Sequence, residues 1–125
     1  MKGEITLIFT AAKAAELVTE GFEWEVSFFD FVDCFRREKD KLSLVQGIPA
    51  PTGDPRLDSL LMSMVLHLCD EADISAPNWA EKAGWLEKPW FVCDLSRLVS
   101  FCLVETPIRF KQNNIFVLAN FMDRI

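Results

Sequence analysis

The sequence predicts an all-α protein, a compact single-domain bundle of five to six helices with an irregular Trp-rich segment. Apolar side chains recur at steps of three and four along most of the chain, and proline and glycine stand mainly between these segments. The length of 125 residues, half of them hydrophobic, suits one ordinary domain with its own core. We therefore expect a single helical domain over residues 1–125.

The first segment, residues 5–19, has apolar residues at helical spacing and an ambiguous start. These positions are Ile5, Ile8, Ala12, Ala15 and Val18, and Gly21 follows close to the end. The β-branched residues at the start make residues 5–9 compatible with a helix or with a short strand. Both readings stay open, as does a role for residues 1–20 as an arm or an interface helix.

Residues 23–39 predict an amphipathic helix. Its apolar stripe consists of Trp24, Phe28, Phe31, Val32 and Phe35. Charged residues lie largely opposite, and Asp33 and Arg37 have the i,i+4 spacing of an ion pair. The basic cluster from Arg36 to Lys41 suits a helix C-terminus, where cations are favoured.

A central helix is predicted from about residue 55 to residue 72. The preceding stretch, residues 47–55, is dense in proline and glycine and reads as a loop. Asp54 can cap the helix and Pro55 suits its first position. The helix is apolar nearly all round, so we expect the other helices to surround it.

Shorter helices are predicted in the last third of the chain. One begins near Pro77 and is stopped by Gly84, and Asp94 caps another. The apolar face of that second helix consists of Leu95, Leu98, Val99, Cys102 and Leu103. Thr106-Pro107 repeats the cap-then-proline pattern, Asn113 and Asn114 suit left-handed C-cap positions, and Asn120 can cap residues 121–125.

Charge and cysteine content narrow the classes of function. The net charge is −6 and both halves of the chain are acidic, so nucleic-acid binding, which depends on neutralising phosphates, is disfavoured. Four dispersed cysteines, no evident signal peptide and no apolar run long enough for a membrane span indicate a cytoplasmic protein. We expect no membrane association.

The candidate catalytic groups do not form a familiar constellation. His67 is the single histidine, and Glu71 stands at i+4 from it. A metal site normally needs three or four ligands, and a nucleophile needs a positioned base. We therefore expect no metal, no cofactor and no enzymatic activity. The alternative is an enzyme with an unfamiliar site built from His67, Glu105 and Arg109, with Glu105 the carboxylate to examine first.

The most unusual local feature is aromatic. Three tryptophans and a phenylalanine fall within residues 79–91, and a segment with basic and apolar residues follows at 107–117. Trp and Arg are enriched at the hot spots of interfaces. The sequence thus predicts a partner-binding surface formed by Trp79, Trp85, Trp90, Phe91, Arg109 and Asn114. The competing interpretation is that the rings, Trp85 and Trp90 in particular, cover the core.

Several segments together carry a family resemblance over about residues 28–125. These are Ala50–Leu61 (APTGDPRLDSLL), Leu66-His67-Leu68, Ala76–Trp79 (APNW), Pro89-Trp90-Phe91 and Pro107–Val117 (PIRFKQNNIFV). The chain resembles a family of small uncharacterised bacterial cytosolic proteins. The resemblance implies the small partner of a toxin–antitoxin-like gene pair, with a protein partner encoded nearby, and it carries over no catalytic residues. Relatives often have a basic run where this chain has Phe110-Lys111-Gln112.

Three classes of function follow. The leading one is a non-enzymatic, antitoxin-like binding module that occludes a site on a protein partner by docking an aromatic patch with an acidic rim. The second is the enzyme described above. The third is a nucleic-acid-binding or regulatory protein acting through Arg97, Arg109 and Lys111. A homo-oligomer is compatible with all three.

Overall fold

The computed structural model describes residues 9–82, 84–92 and 99–123, and it is mainly helical. In these ranges the elements are α1 (Ala11–Thr19), α2 (Trp24–Arg37), α3 (Lys41–Val45), α4 (Pro55–Glu71), α5 (Asn78–Glu81), β1 (Trp90–Phe91), α6 (Val99–Glu105), α7 (Ile108–Lys111) and β2 (Ile115–Phe116). The predicted all-α class is confirmed. The described helices number seven instead of five to six because α3, α5 and α7 are single turns of four or five residues.

Some predicted features lie outside the described residues. They are the helix or strand at residues 5–8, the cap at Asp94, the apolar positions Leu95 and Leu98, Cys93, Arg97 and the last two residues. The described chain forms two compact units, residues 1–50 and residues 51–125. Two compact units do not establish two independently folding domains, so the single domain remains a prediction.

The core of the first unit is formed by α1 and α2. Thr10 caps α1 by accepting a hydrogen bond from the Lys13 N–H, and α1 buries three alanines against α2. The predicted stripe of α2 is confirmed, since Phe28, Phe31, Val32 and Phe35 are buried. Gly21 has a φ of +107° after the end of α1, a conformation that glycine adopts without steric cost.

The end of α2 is closed by a lysine from the next helix. Lys41 Nζ donates to the carbonyl oxygens of Phe35 at 2.6 Å, Arg36 at 3.1 Å and Glu38 at 2.8 Å. The ammonium group also lies 5.3 Å from the centroid of the Phe35 ring. The last carbonyl groups of a helix have no hydrogen-bond donor within the helix. The Lys41 ammonium group is the donor for these three carbonyl groups.

The second unit is organised by α4. Its predicted start is confirmed, because the Asp54 side chain accepts the Arg56 N–H at 3.0 Å and Pro55 stands in the first turn. Nine of its 17 residues are buried, from Ser59 to Cys69. Within this unit α4 packs against α5 and α7.

A short parallel strand pair and hydrogen bonds of the Thr106 hydroxyl connect the remaining elements of the second unit. β1 and β2 pair in parallel, with Trp90 opposite Ile115 and Phe91 opposite Phe116. The expected capping of α7 by Thr106 is wrong. Pro107 is the N-cap and makes no side-chain cap, while the Thr106 hydroxyl bonds the Cys102 carbonyl and accepts the Val117 N–H at 3.1 Å. Asn113 and Asn114 were both expected in the left-handed conformation; Asn114 adopts it, with a φ of +65°, and Asn113 does not.

Candidate functional site

Four exposed apolar side chains of the second unit lie on α6 and at the start of α7. Val104 is 80% exposed and Ile108 is 67% exposed, and Phe101 and Leu103 are exposed by about half. We call these four residues the α6–α7 apolar surface. These four large apolar side chains are exposed within eight residues of sequence, which makes this region a candidate binding surface.

Local packing explains why this side of α6 is exposed. Cys102 and Thr106, one turn apart, are buried and face the core of the unit. With 100° between successive helical residues, Phe101 and Val104 project away from that side. Leu103 was predicted to share one apolar face with Cys102, but Leu103 is 47% exposed and Cys102 is buried.

The Trp85 ring is exposed, and the backbone of the next residue is hydrogen-bonded on both sides. Its side chain is 63% exposed. Both backbone groups of the next residue are bonded: the Leu86 N–H donates to the Asn113 carbonyl at 3.0 Å, and the Leu86 carbonyl accepts from Asn114 Nδ2 at 2.9 Å. Asn114, a predicted site residue, therefore positions the segment that carries Trp85.

The other predicted aromatic residues make contacts within the unit. Trp79 is 9% exposed and offers little area to a partner. The Trp90 ring lies 5.1 Å from the Arg56 guanidinium carbon, and the Phe91 ring stacks on Phe116 with centroids 4.9 Å apart. The structure thus leaves Trp85 as the strongly exposed ring of the predicted set.

Arg109 forms a two-point ion pair with α4. Its Nε donates to Asp70 Oδ2 at 2.7 Å and its Nη2 donates to Asp70 Oδ1 at 3.1 Å, and Glu81 lies 4.0 Å from Nη2. The hydrogen bond to Arg109 holds the pKa of Asp70 below its ordinary value of 3.8, and the same bond raises the pKa of Arg109. This arginine joins α7 to the end of α4.

Of the residues of the enzyme hypothesis, Arg109 and His67 both lower the pKa of Asp70, whereas Glu105 bonds elsewhere. His67 Nε2 lies 3.7 Å from Glu71 Oε2, and the His67 ring lies 5.7 Å from the Phe110 ring. Glu105 Oε1 accepts the Ala119 N–H at 3.3 Å. Among the described residues no hydrogen bond or ion pair joins His67, Glu105 and Arg109.

The described thiols are buried. Cys34, Cys69 and Cys102 form no disulfide with one another. Burial, with a smaller contribution from the adjacent Asp70, raises the pKa of Cys69 to about 11. Because the thiolate is the nucleophilic form, Cys69 has little nucleophilic character at neutral pH.

The comparisons with known proteins gave no relative. The chain matches none of the protein-family models, curated proteins or solved structures with which it was compared. In the ranges that the structure describes, no three or more His, Cys, Asp and Glu side chains are grouped to hold a metal ion. None of the helices in those ranges has the length and apolar character that a membrane crossing requires.

The sequence did not predict that Phe101, Val104 and Ile108 are exposed. One signal was present in the sequence, because residues 98–104 are apolar except for one serine. A helix that packs against its own unit on one side leaves the apolar residues of its opposite side exposed. Its surplus apolar residues were therefore candidates for an interface.

Proposed function

We propose that this chain is a non-enzymatic protein-binding module that docks on a protein partner through the α6–α7 apolar surface and occludes a site there. The observation that carries the proposal is the exposure of Phe101, Leu103, Val104 and Ile108. Fully burying one large apolar side chain contributes about 1.5–3 kcal/mol. Burying these side chains against a partner therefore lowers the free energy of association. The entropic cost of binding reduces the net gain.

The proposal includes an antitoxin-like role in the bacterial cytoplasm, with the partner encoded nearby. Its support is the resemblance in the segments from Ala50 to Val117. Cys34, Cys69 and Cys102 are buried and form no disulfide with one another, as expected for thiols in a reducing compartment.

We expect the binding site on the partner to have an apolar centre surrounded by basic residues. The chain has a net charge of −6, and Glu105 stands between Val104 and the start of α7. Charge complementarity of this kind raises the rate of association more than the affinity. Trp85, with its ring exposed and its backbone held, is a second anchor that such a partner can cover.

The test is capture of the partner by the tagged full chain from nuclease-treated native cells, followed by calorimetry with the purified partner. We expect one near-stoichiometric protein, bound about 100-fold more weakly by the double variant Phe101→Ser/Val104→Ser. Circular dichroism establishes that each variant is folded.

The matched control is Leu42→Ser/Ile48→Ser, which removes two exposed apolar side chains from the first unit. It should bind like the wild type. Recovery of the chain alone, or equal binding by both double variants, would overturn the proposal. A complex that contains only copies of this chain, detected by light scattering, would replace the partner with a homo-oligomer.

A further inference from the structure

The junction of α1 and α2 in the first unit carries two exposed apolar side chains that the proposed function does not use. Phe22 precedes α2 and Val26 lies in its first turn, and each is more than half exposed. The two residues are about one helical turn apart along the chain, so both lie at the same end of α2.

The backbone that carries Phe22 is fixed by hydrogen bonds at the end of α1. The Phe22 N–H donates to the Leu17 carbonyl, and the Gly21 N–H donates to the Val18 carbonyl, both at 3.0 Å. This is the Schellman ending of a helix, in which the residue after the glycine usually packs against the last turn. Phe22 nevertheless stays exposed, so a partner can cover its ring without first ordering the backbone.

Three carboxylates accompany this apolar pair. They are Glu20, Glu23 and Glu25, and all three are exposed. Within the described ranges their side chains form no hydrogen bond or ion pair with another residue. We call these three residues, together with Phe22 and Val26, the junction surface.

The stability of the two helices accounts for only part of this charge. Glu20 lies at the C-terminal end of α1, where a negative charge is unfavourable, and the last turn of α1 contains no basic residue. Glu23 is the N-cap of α2, but its side chain makes no capping hydrogen bond. The helix dipole favours Glu23 and Glu25 at the start of α2, whereas Glu20 lacks even this stabilisation.

We infer that the junction surface binds a basic amphipathic helix of a protein partner. Apolar side chains of that helix would cover Phe22 and Val26, and its Lys or Arg side chains would pair with the three carboxylates. An amphipathic helix presents both kinds of side chain within a turn or two, as such a surface requires.

Charge complementarity selects this occupant over others. A neutral or acidic segment would cover the apolar pair but leave the three carboxylates without a cation, and desolvating an unpaired charge is costly. A second copy of this chain would bring three further negative charges to the same place, and such juxtaposition of like charges opposes association.

The probe is a synthetic lysine–leucine peptide of about 14 residues, four helical turns, with its leucines along one face. One control peptide has the same composition with the leucines distributed around the helix, and a second has glutamate in place of lysine. In NMR titrations of the full-length protein, we expect saturable binding of the probe that shifts the Gly21, Phe22 and Val26 amide signals. The distributed peptide should bind about 10-fold more weakly, and the glutamate peptide should not bind measurably.

Two variants separate the apolar contribution from the electrostatic one. Phe22→Ser/Val26→Ser should weaken binding of the probe by about 10-fold. Glu20→Gln/Glu23→Gln/Glu25→Gln should weaken it by a similar factor and should also remove most of its dependence on salt, because salt screens exposed charges. Circular dichroism establishes that both variants are folded.

Each variant has a matched control. Leu42→Ser/Ile48→Ser removes two other exposed apolar side chains of the first unit. Glu71→Gln/Glu81→Gln/Glu87→Gln removes three exposed carboxylates of the second unit and changes the net charge by the same amount. Both controls should bind the probe like the wild type.

Absence of saturable binding at millimolar probe would overturn the inference. Equal weakening by the two triple variants would do so too, because it would reflect net charge alone, as would equal affinity for the two lysine–leucine peptides. Self-association of the protein that Phe22→Ser/Val26→Ser abolishes, measured by light scattering, would assign the surface to a second copy instead. The result is independent of the partner-capture experiment, whose test variant changes residues of α6.

Discussion

Single side chains complete the hydrogen bonding at several helix ends. Thr10, Asp40 and Asp54 accept backbone N–H groups at the starts of α1, α3 and α4. Lys41 does the opposite at the end of α2, where it donates to three carbonyl oxygens. An ammonium group at this end also complements the partial negative charge of the helix C-terminus.

Replacing Lys41 should therefore destabilise the protein. Lys41→Met keeps most of the aliphatic stem and removes all three hydrogen bonds, so we expect the free energy of unfolding to fall by about 1–2 kcal/mol. Urea denaturation of the full chain measures this. Lys39→Met, an exposed lysine two residues earlier, is the control, and an equal effect from both variants would contradict the assigned role.

The pair of Asp70 and Arg109 predicts a dependence of stability on pH. Hydrogen bonding to Arg109 lowers the pKa of Asp70 in the folded protein, so the pair stabilises the fold fully above the ordinary value of 3.8. Below that value the unfolded chain takes up the proton first, and the contribution is lost as the pH falls through the lower pKa of the folded state. Because the carboxylate is about half exposed, we expect only about 0.2–1 kcal/mol.

The measurement compares wild type with Asp70→Asn by urea denaturation from pH 7 to about pH 2. The difference in free energy of unfolding should be constant near neutrality and should shrink in acid. Glu87→Gln, an exposed carboxylate of the second unit, should give no such difference. A wild-type advantage over Asp70→Asn that persists undiminished at the lowest pH would contradict the assignment.

Between elements, buried polar side chains fix how the short pieces of the second unit meet. The Thr106 hydroxyl joins the end of α6 to Val117, just after β2. Asn113 Nδ2 donates to Ser63 Oγ of α4 at 2.7 Å. Elements of four to seven residues bury little apolar area alone, so these hydrogen bonds determine much of their arrangement.

Thr106→Val should show the importance of the hydroxyl group. Valine has nearly the same shape but leaves the buried Val117 N–H without its acceptor, and we expect a loss of about 1–3 kcal/mol in stability. Thr106→Ser keeps the hydroxyl and should retain more of the stability in the same denaturation experiment. If serine proves as damaging as valine or worse, the methyl group and not the hydroxyl matters.

Some elements were predictable and others were not. The start of α4 at Asp54-Pro55 and the aromatic stripe of α2 depend on neighbouring residues, so the sequence predicted both. Helix α3 was missed because five residues are too few to show a period. The pairing of β1 with β2 joins residues 25 apart, a separation that no local pattern reveals.

On the scale of the whole molecule, the buried thiols report on unfolding. In a Cys93→Ser variant only Cys34, Cys69 and Cys102 remain, and all three are buried. For Cys69, with a pKa of about 11, roughly one molecule in a thousand is thiolate at pH 8. We expect native protein to react with a disulfide reagent much more slowly than the denatured chain, in which three thiols should react at once.

Labelling at pH 8 with and without guanidinium checks this expectation. The native rate should rise with denaturant in parallel with the loss of helical circular dichroism. Rapid labelling of one thiol in native protein would contradict the burial of these residues.

By itself the sequence determined the helical class, the approximate bounds of α2 and α4 and the Asp54 cap of α4, because each depends on residues within a turn or two of one another. Only the tertiary structure decided which aromatic residues are exposed. Trp79 and Trp85 lie six residues apart in the same segment, yet Trp79 is buried and Trp85 is exposed, next to Leu86, whose backbone bonds to Asn113 and Asn114. The exposed side of α6 also depends on residues distant in sequence. The Val117 N–H bonds to the hydroxyl group of Thr106, which directly follows α6, and so fixes the orientation of Thr106. Burial of a side chain depends on what the rest of the chain brings against it, and that information lies in contacts between distant residues.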